Sequence, residues 1–140
     1  EYGALILAEA GLQRLGLEHR ITRRFSPTEI VPAAGQGILA VQGRAGEYTA
    51  LLQRLNDPQA AFCAKIERAV SKALNGDCTA PIGAYADLQG EQVTLYGFYA
   101  EDGVGLKSTL TGSVTQAESL ANTLAEQLKQ QVQAKKEAML

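Results

Sequence analysis

This sequence contains two thiols, Cys63 and Cys78, and a thiol is the side chain closest to a nucleophile at neutral pH. Cys78 follows a Gly-Asp pair and precedes Thr79-Ala80-Pro81, which predicts a loop between a helix and a strand, where functional side chains are commonly held. The functional interpretation is that the Cys78 thiol carries chemistry, as side chains held on a loop between rigid elements often do. By residue type alone a lone cysteine is more often a buried, inert residue. Both interpretations of Cys78 therefore stay open at this point.

Cys63 is expected to be inert, because it falls inside a predicted helix. From Cys63 to Asn75 that helix would rise roughly 18 Å at 1.5 Å per residue, which is too far for a disulfide to Cys78. A redox role for Cys78 therefore lacks a resolving cysteine. His19 is the single histidine, and it lies among arginines with no nucleophile nearby, so we expect it to be solvated. The two thiols and this imidazole form none of the usual metal-binding sets, and no metal is expected.

Arginines and one glycine turn are the candidates for ligand binding. A guanidinium offers paired donors that suit carboxylates and phosphates, although such clusters are often simply solvated. The Gly35-Gln36-Gly37 turn lacks the Lys-Ser/Thr ending of a phosphate loop, but it permits a flat ligand to approach the backbone closely. The arginines in question are Arg14, Arg20, Arg23 and Arg24.

Composition limits the classes of function. The chain has 140 residues, a net charge of -2 and 46% hydrophobic residues, enough for a packed core of ordinary size. Such a charge provides no overall positive field, so we expect neither a nucleic-acid nor a membrane partner. The apolar run at 30–41 is too short to span a bilayer. Two cysteines make a poor disulfide scaffold and favour a cytoplasmic protein.

From Asp57 onward the pattern predicts a complete α+β unit. Asp57-Pro58 is a favourable helix start, and the helix at 58–75 should end at Gly76. Three strands at 82–88, 92–100 and 106–114 suit an antiparallel meander. A capping box at 115–118 should then begin a long amphipathic helix. The residues that should face the core are Phe62, Ile66, Ala69, Val70, Ala73 and Leu74 in the first helix, and Leu120, Leu124, Leu128 and Val132 in the second.

In residues 1–56 the sequence predicts two helices and a strand that have no evident packing partners. A helix is expected at 4–17 with a cap at Gly16, a β-strand at 38–41 after the glycine turn, and a short helix at 47–55. The chain opens at Glu1 without a methionine and turns apolar at once. We therefore expect a piece of a longer protein, whose apolar faces such as that of Leu5, Leu12 and Leu15 favour self-association.

Four separated motifs, taken in order, closely resemble the C-terminal part of the porphobilinogen deaminases, also called hydroxymethylbilane synthases. The likeness runs from the first residues to about residue 86, and beyond that point it is one of pattern more than of identity. The motifs are Leu-Ala-Glu-Ala-Gly-Leu-Gln-Arg-Leu-Gly at 7–16, Pro-Ala-Ala-Gly-Gln-Gly at 32–37, Glu-Arg-Ala at 67–69 and Asn-Gly-Asp-Cys-Thr-Ala-Pro-Ile-Gly-Ala-Tyr-Ala at 75–86.

The resemblance implies a transferase of tetrapyrrole and heme biosynthesis that condenses four porphobilinogen molecules into hydroxymethylbilane and releases ammonia. It implies a dipyrromethane cofactor, joined by a thioether to the cysteine that Cys78 matches. Arg14 matches an arginine of the cleft that binds the pyrrole carboxylates, and Gln36 and Gly37 match a turn beside cofactor and substrate. Asp77 departs from the family's pair of glycines before the cysteine.

The resemblance also implies a division of the chain. Residues 1–31 would end the middle domain, residues 32–56 would return to the first domain, and residues 57–140 would form the cofactor-attachment domain, a three-stranded antiparallel sheet with helices on one face. The family's catalytic aspartate and most of its arginines precede these segments, so no catalytic residue is assigned here.

Two hypotheses about function follow. In the first, the chain is part of an enzyme that is a monomer at full length, and these 140 residues alone are inactive. The alternative is a stand-alone ligand-binding or interaction module whose Cys78 is unmodified.

Overall fold

The computed structural model of the chain describes residues 2–74 and 81–139. They form two compact units, Glu1–Ile30 and Val31–Leu140, which are described separately. The first unit contains helix α1 (Glu9–Arg14) and a 3₁₀ turn (Glu18–Arg20). The second contains helices α2 (Thr49–Leu55), α3 (Pro58–Ala73) and α4 (Ala117–Glu137), a 3₁₀ turn (Val114–Gln116), and strands β1 (Ile82–Gln89), β2 (Gln92–Glu101) and β3 (Val104–Ser113).

Helix α1 is shorter than the predicted helix at 4–17. Leu5, Ile6 and Leu7 precede it in extended or irregular backbone and are 60–73% exposed. A short helix without packing is marginal in water, so the apolar periodicity of this region is insufficient to complete the helix. Its predicted end is confirmed, because the amide of Gly16 donates to Gln13 and that of Leu17 to Leu12, the pairing of a Schellman motif.

The prediction of a β-strand at 38–41 is wrong for this chain. Residues 38–44 lie outside any helix or strand, and Leu39 and Val41 are 81% and 63% exposed. A strand exists only when a neighbouring strand accepts and donates its backbone hydrogen bonds, and none of the described strands lies beside these residues. The helix expected at 47–55 is confirmed as α2, two residues shorter at its start.

Helix α3 begins as predicted. The carboxylate of Asp57 accepts hydrogen bonds from the amides of Gln59 at 2.9 Å and Ala60 at 3.1 Å, and Pro58 occupies the first turn. The predicted stop at Gly76 lies outside the described residues. Ile66 and Val70 of α3, and Leu74 at its C-cap, face the core, each at most 3% exposed.

The three predicted strands are confirmed as one antiparallel sheet in the order β1-β2-β3. The β2–β3 turn is tighter than the expected five residues, because Glu101 pairs with Val104 and only Asp102 and Gly103 connect the strands. Both residues have positive φ, 50° and 80°, as the right-handed twist of a two-residue hairpin requires.

The predicted capping box at 115–118 is wrong. Helix α4 starts at Ala117 without a side-chain cap, because a 3₁₀ turn with its own cap directly precedes it. There the hydroxyl of Ser113 accepts from the amide of Thr115 at 3.3 Å. The side-chain cap therefore lies at Ser113, two residues before the position that the sequence pattern indicates.

One core joins α3, α4 and a single face of the sheet. Leu124 and Leu128 of α4 pack with Val93 and Leu95 of β2, all at most 1% exposed. Tyr85 and Tyr96 lie on the opposite face, with ring centroids 6.0 Å apart. The predicted α+β class, a three-stranded antiparallel sheet covered on one face by helices, is confirmed.

Candidate functional site

The predicted ligand-facing turn adopts a geometry that glycine makes possible. Gly35 and Gly37 have φ values of 76° and 81°. The amide of Gln36 donates to Ala33 at 3.0 Å, and that of Ile38 donates to Gly35 at 3.1 Å. Gln36 and Gly37 are exposed, and nothing lies within 4 Å of the position that a Cβ at Gly37 would occupy. The backbone here is therefore open to a flat ligand.

The segment at 31–37 is held along the outer edge of β1. The carbonyl of Pro32 accepts from the amide of Ala84 at 2.8 Å. Beside it, Val31 lies so close to Gly83 that an added Cβ would meet the Val31 carbonyl oxygen at 2.5 Å. Ala34 packs against the hydrophobic core. The turn is thus attached to the α+β unit by backbone pairing and by packing.

A buried carboxylate makes a further connection. Glu67 of α3 is 5% exposed. Its Oε2 accepts from the amide of Gly35 at 2.7 Å, and its Oε1 accepts from the amide of Ala86 in β1 at 3.0 Å. Such charge-assisted bonds offset the cost of burying the carboxylate.

Arg68, the next residue of α3, lies at the same turn. Its Nη1 is 3.9 Å from the position that a Cβ at Gly35 would occupy, and the residue is exposed. The turn therefore combines an open backbone surface with a guanidinium, a pairing that suits a flat ligand carrying carboxylates.

Sequence reasoning assigned no role to Glu67 or Arg68. A signal for Glu67 was available, because its position lies beside Ile66 and Val70 on the apolar side of α3. A carboxylate at such a position requires buried hydrogen-bond donors. Which donors these are depends on residues 19 and 32 positions away in sequence, and helical periodicity does not contain that information.

Cys78 lies outside the described residues, as does the Gly76-Asp77 pair before it. The residues that flank 75–80 are anchored. Leu74 is 3% exposed, and the ammonium of Lys129 donates to the carbonyl of Ala73 at 2.7 Å. On the other side, the carbonyl of Pro81 accepts from the amide of Ala100 at 3.2 Å. An open groove lined by Leu74, Pro81 and Lys129 lies between these flanks.

Cys63 is half-buried on α3, as predicted. Burial raises the pKa of its thiol, and the negative charges of Glu67, Asp87 and Asp57 raise it further. A thiol in these surroundings is a weak nucleophile. Within the described parts of the chain, no group of three or more His, Cys, Asp and Glu side chains could hold a metal ion.

The arginines of the first unit differ in their surroundings. Arg14 ends α1 and is exposed. Arg24 pairs with Glu9 at 2.6 Å, and Arg23 pairs with Glu29 at 2.6 Å. The amide of Ser26 and the Arg23 guanidinium lower the pKa of Glu29.

The described helices include none that is long and apolar enough to cross a membrane. In the first unit, His19 is exposed within its 3₁₀ turn.

Comparison with known proteins gives matches along most of the chain. Residues 1–51 match the family model described as porphobilinogen deaminase, dipyromethane cofactor binding domain, and residues 61–130 match porphobilinogen deaminase, C-terminal domain. Arg14, Gln36 and Gly37 fall in the first match, and Cys78 falls in the second.

Curated relatives agree with these matches. A porphobilinogen deaminase of Acetivibrio thermocellus is 48% identical over 89% of this chain and 43% of its own length. The porphobilinogen deaminase of Alkaliphilus oremlandii is 42% identical over 92% of this chain and 44% of its own length. That of Roseiflexus castenholzii is 43% identical over 91% of this chain and 43% of its own length. The chain therefore spans less than half the length of these relatives.

Proposed function

The chain belongs to the porphobilinogen deaminase family, and we propose that it is the cofactor-carrying C-terminal part of an enzyme that condenses four porphobilinogen molecules into hydroxymethylbilane with release of ammonia. The observation that carries the proposal is the match of both family models, whose matched residues include all four motifs. The open glycine turn, with Arg68 beside it, supports a site for pyrroles that carry carboxylates.

Cys78 is the proposed attachment point of the dipyrromethane cofactor. Loss of ammonia from a porphobilinogen unit breaks its aminomethyl C–N bond and leaves an electrophilic methylene carbon. The Cys78 thiolate adds to that carbon to form the C–S bond, and the proton of the thiol replaces the one that the pyrrole loses with the ammonia. When bound, the cofactor supplies the primer on which the chain of pyrroles is extended.

The remaining proposed contacts are electrostatic and steric. Arg14 binds carboxylates of the pyrrole side chains, because a guanidinium pairs with both oxygens of a carboxylate. Gln36 and Gly37 contact the rings through the open surface of their turn. Arg20, Arg23 and Arg24 are weaker candidates, since Arg23 and Arg24 already pair with Glu29 and Glu9.

The attachment is tested by intact-mass measurement on the longest natural polypeptide that contains these 140 residues, expressed in porphobilinogen-producing cells. We expect an added mass of two pyrrole units that disappears in Cys78→Ser and persists in the matched control Cys63→Ser. An unmodified Cys78 thiol in protein that makes hydroxymethylbilane would refute the attachment. An unmodified thiol in protein without activity would favour the alternative, a stand-alone binding module.

These 140 residues alone are proposed to be inactive, because they correspond to about 43% of the related enzymes. Incubation with porphobilinogen and a colour assay for linear tetrapyrrole should therefore show no product, and robust product would refute the proposal.

In the longer polypeptide, Arg14→Ala should impair chain elongation. The control is Arg54→Ala, which truncates an exposed arginine of α2, and unchanged turnover in Arg14→Ala would count against its role.

A further inference from the structure

Glu67 connects the ligand-facing turn to the sheet of the proposed cofactor-bearing domain. One carboxylate oxygen accepts from the turn of Gly35, Gln36 and Gly37, and the other accepts from β1, the strand that begins after Cys78 in the sequence. We propose that Glu67 is a positioning residue, which holds the ligand-facing turn at a set place relative to the cofactor-bearing domain. The functional half of this inference rests on the function proposed above.

Glu67 is 5% exposed, and both of its oxygens accept a backbone amide. If the turn moved away, Oε2 would lose its 2.7 Å bond to Gly35 in a place that water reaches poorly. An unsatisfied buried charge is costly, so the carboxylate opposes displacement of the turn.

The carboxylate of Glu67 also helps to fix the direction of the turn. Segment 31–37 is already paired with β1 through Pro32 and Ala84 at 2.8 Å. The Pro32–Ala84 bond fixes the start of the segment against β1, whereas the bond from Gly35 to Glu67 fixes the turn three residues later against α3. Two attachment points on different elements, β1 and α3, define the orientation of the turn, and Gln36 follows directly on the second point.

A glutamate meets the two amides at this position better than a glutamine would. A carboxylate can accept on both oxygens, whereas the amide of glutamine has one acceptor oxygen and one NH₂ donor. Glu67→Gln therefore keeps the size of the side chain but sets a donor against either Gly35 or Ala86. This substitution separates the hydrogen-bond function of Glu67 from its volume.

The structural half is tested on the 140-residue chain by amide hydrogen exchange measured with NMR. In Glu67→Gln, at least one of the two amides, that of Gly35 or that of Ala86, should exchange faster by roughly tenfold. Amides paired between β2 and β3 should keep their rates. Glu118→Gln, at an exposed glutamate of α4 that pairs with Lys65, is the matched control and should change neither amide. Unchanged exchange at both amides in Glu67→Gln would overturn the inference.

The functional half is tested on the longer polypeptide with Cys78 loaded. Glu67→Gln should raise the KM for porphobilinogen by roughly tenfold at temperatures well below unfolding. Val70→Ala is the control for stability, because it removes core volume from the same helix at a residue 1% exposed. It should lower Tm and leave KM unchanged.

The outcomes separate the two proposals. A KM that is unchanged in Glu67→Gln, or that rises equally in Val70→Ala, would overturn the positioning role while turnover by the wild type sustains the proposed function. A wild-type polypeptide that makes no hydroxymethylbilane would refute the proposed function. The exchange rates of Gly35 and Ala86 would still decide whether Glu67 holds the turn.

Discussion

At the scale of single residues, Gly83 controls how closely segment 31–37 approaches β1. In Gly83→Ala the new Cβ would lie 2.5 Å from the carbonyl oxygen of Val31, so the segment must move. We expect a loss of about 1–3 kcal/mol in the free energy of unfolding, as for other overpacked sites, measured by urea denaturation. Gly112→Ala is the control, because its Cβ would meet Leu120 at 3.4 Å, an ordinary contact. Equal effects of the two substitutions would contradict the close approach.

The thiol of Cys63 should react slowly in the folded chain. Burial and neighbouring carboxylates raise its pKa, so less thiolate is present at a given pH. In a Cys78→Ser background, alkylation of the folded chain should be slower than that of glutathione at about pH 8, and it should accelerate as the pH rises towards the raised pKa. Unfolding in urea should restore the rate of an ordinary thiol. Rapid alkylation of the folded chain would show that the thiol is not protected.

At the scale of elements, Lys136 joins the end of α4 to the β2–β3 hairpin. Its Nζ lies 2.8 Å from Glu101 and 2.6 Å from Asp102. Hydrogen bonding to Lys136 lowers the pKa of Glu101 below its usual 4.5. A carboxyl whose pKa is lowered by folding stabilises the fold above the unfolded pKa, and this contribution is lost as the pH falls through the folded value.

Lys136→Met should therefore lower Tm near neutral pH, and the difference from the wild type should shrink as the pH falls below about 4. Thermal unfolding followed by circular dichroism between about pH 3 and pH 7 measures this. Lys135→Met, at the exposed neighbouring lysine, should leave Tm nearly unchanged. A difference between wild type and Lys136→Met that is independent of pH would exclude the ion pairs as its cause.

At the scale of the whole molecule, the α+β unit should fold without the preceding residues, but less stably without segment 31–37. A chain of residues 57–140 keeps the core of α3, α4 and the sheet, yet it loses the partners of Ala84 and Glu67 at Pro32 and Gly35. We expect it to be less stable than residues 31–140 by about 2 kcal/mol or more. Equal urea midpoints and slopes for the two chains would contradict this.

Self-association stays a prediction of the sequence. In the first unit, Leu5, Ile6 and Leu7 are 60–73% exposed, and in the second, Leu39 and Val41 are similarly exposed. Apolar side chains clustered at a surface favour association, so light scattering should give a mass that rises with concentration. A monomer at all concentrations would refute the prediction. A Leu5→Ser/Leu7→Ser variant should associate less if the first unit is responsible.

The sequence by itself determined the elements whose partners lie within residues 57–140. Helix α3, the three strands and α4 follow from local periodicity and turn residues, and each finds its apolar partner nearby in the chain. The motifs also determined the family, since residue types in order are enough for that. The roles proposed for Cys78 and Arg14 rest on the family resemblance, and the division into three domains remains a prediction.

Only the tertiary structure decided which of the remaining patterns form elements. The apolar run at 38–41 does not become a strand, because backbone pairing needs a neighbour that local sequence cannot supply. The two bonds of Glu67 likewise connect residues 19 and 32 positions apart. Periodicity records which face of an element is apolar, whereas the partner of a buried charge is set by how distant segments pack, and that is why the turn's attachment to α3 is visible only in three dimensions.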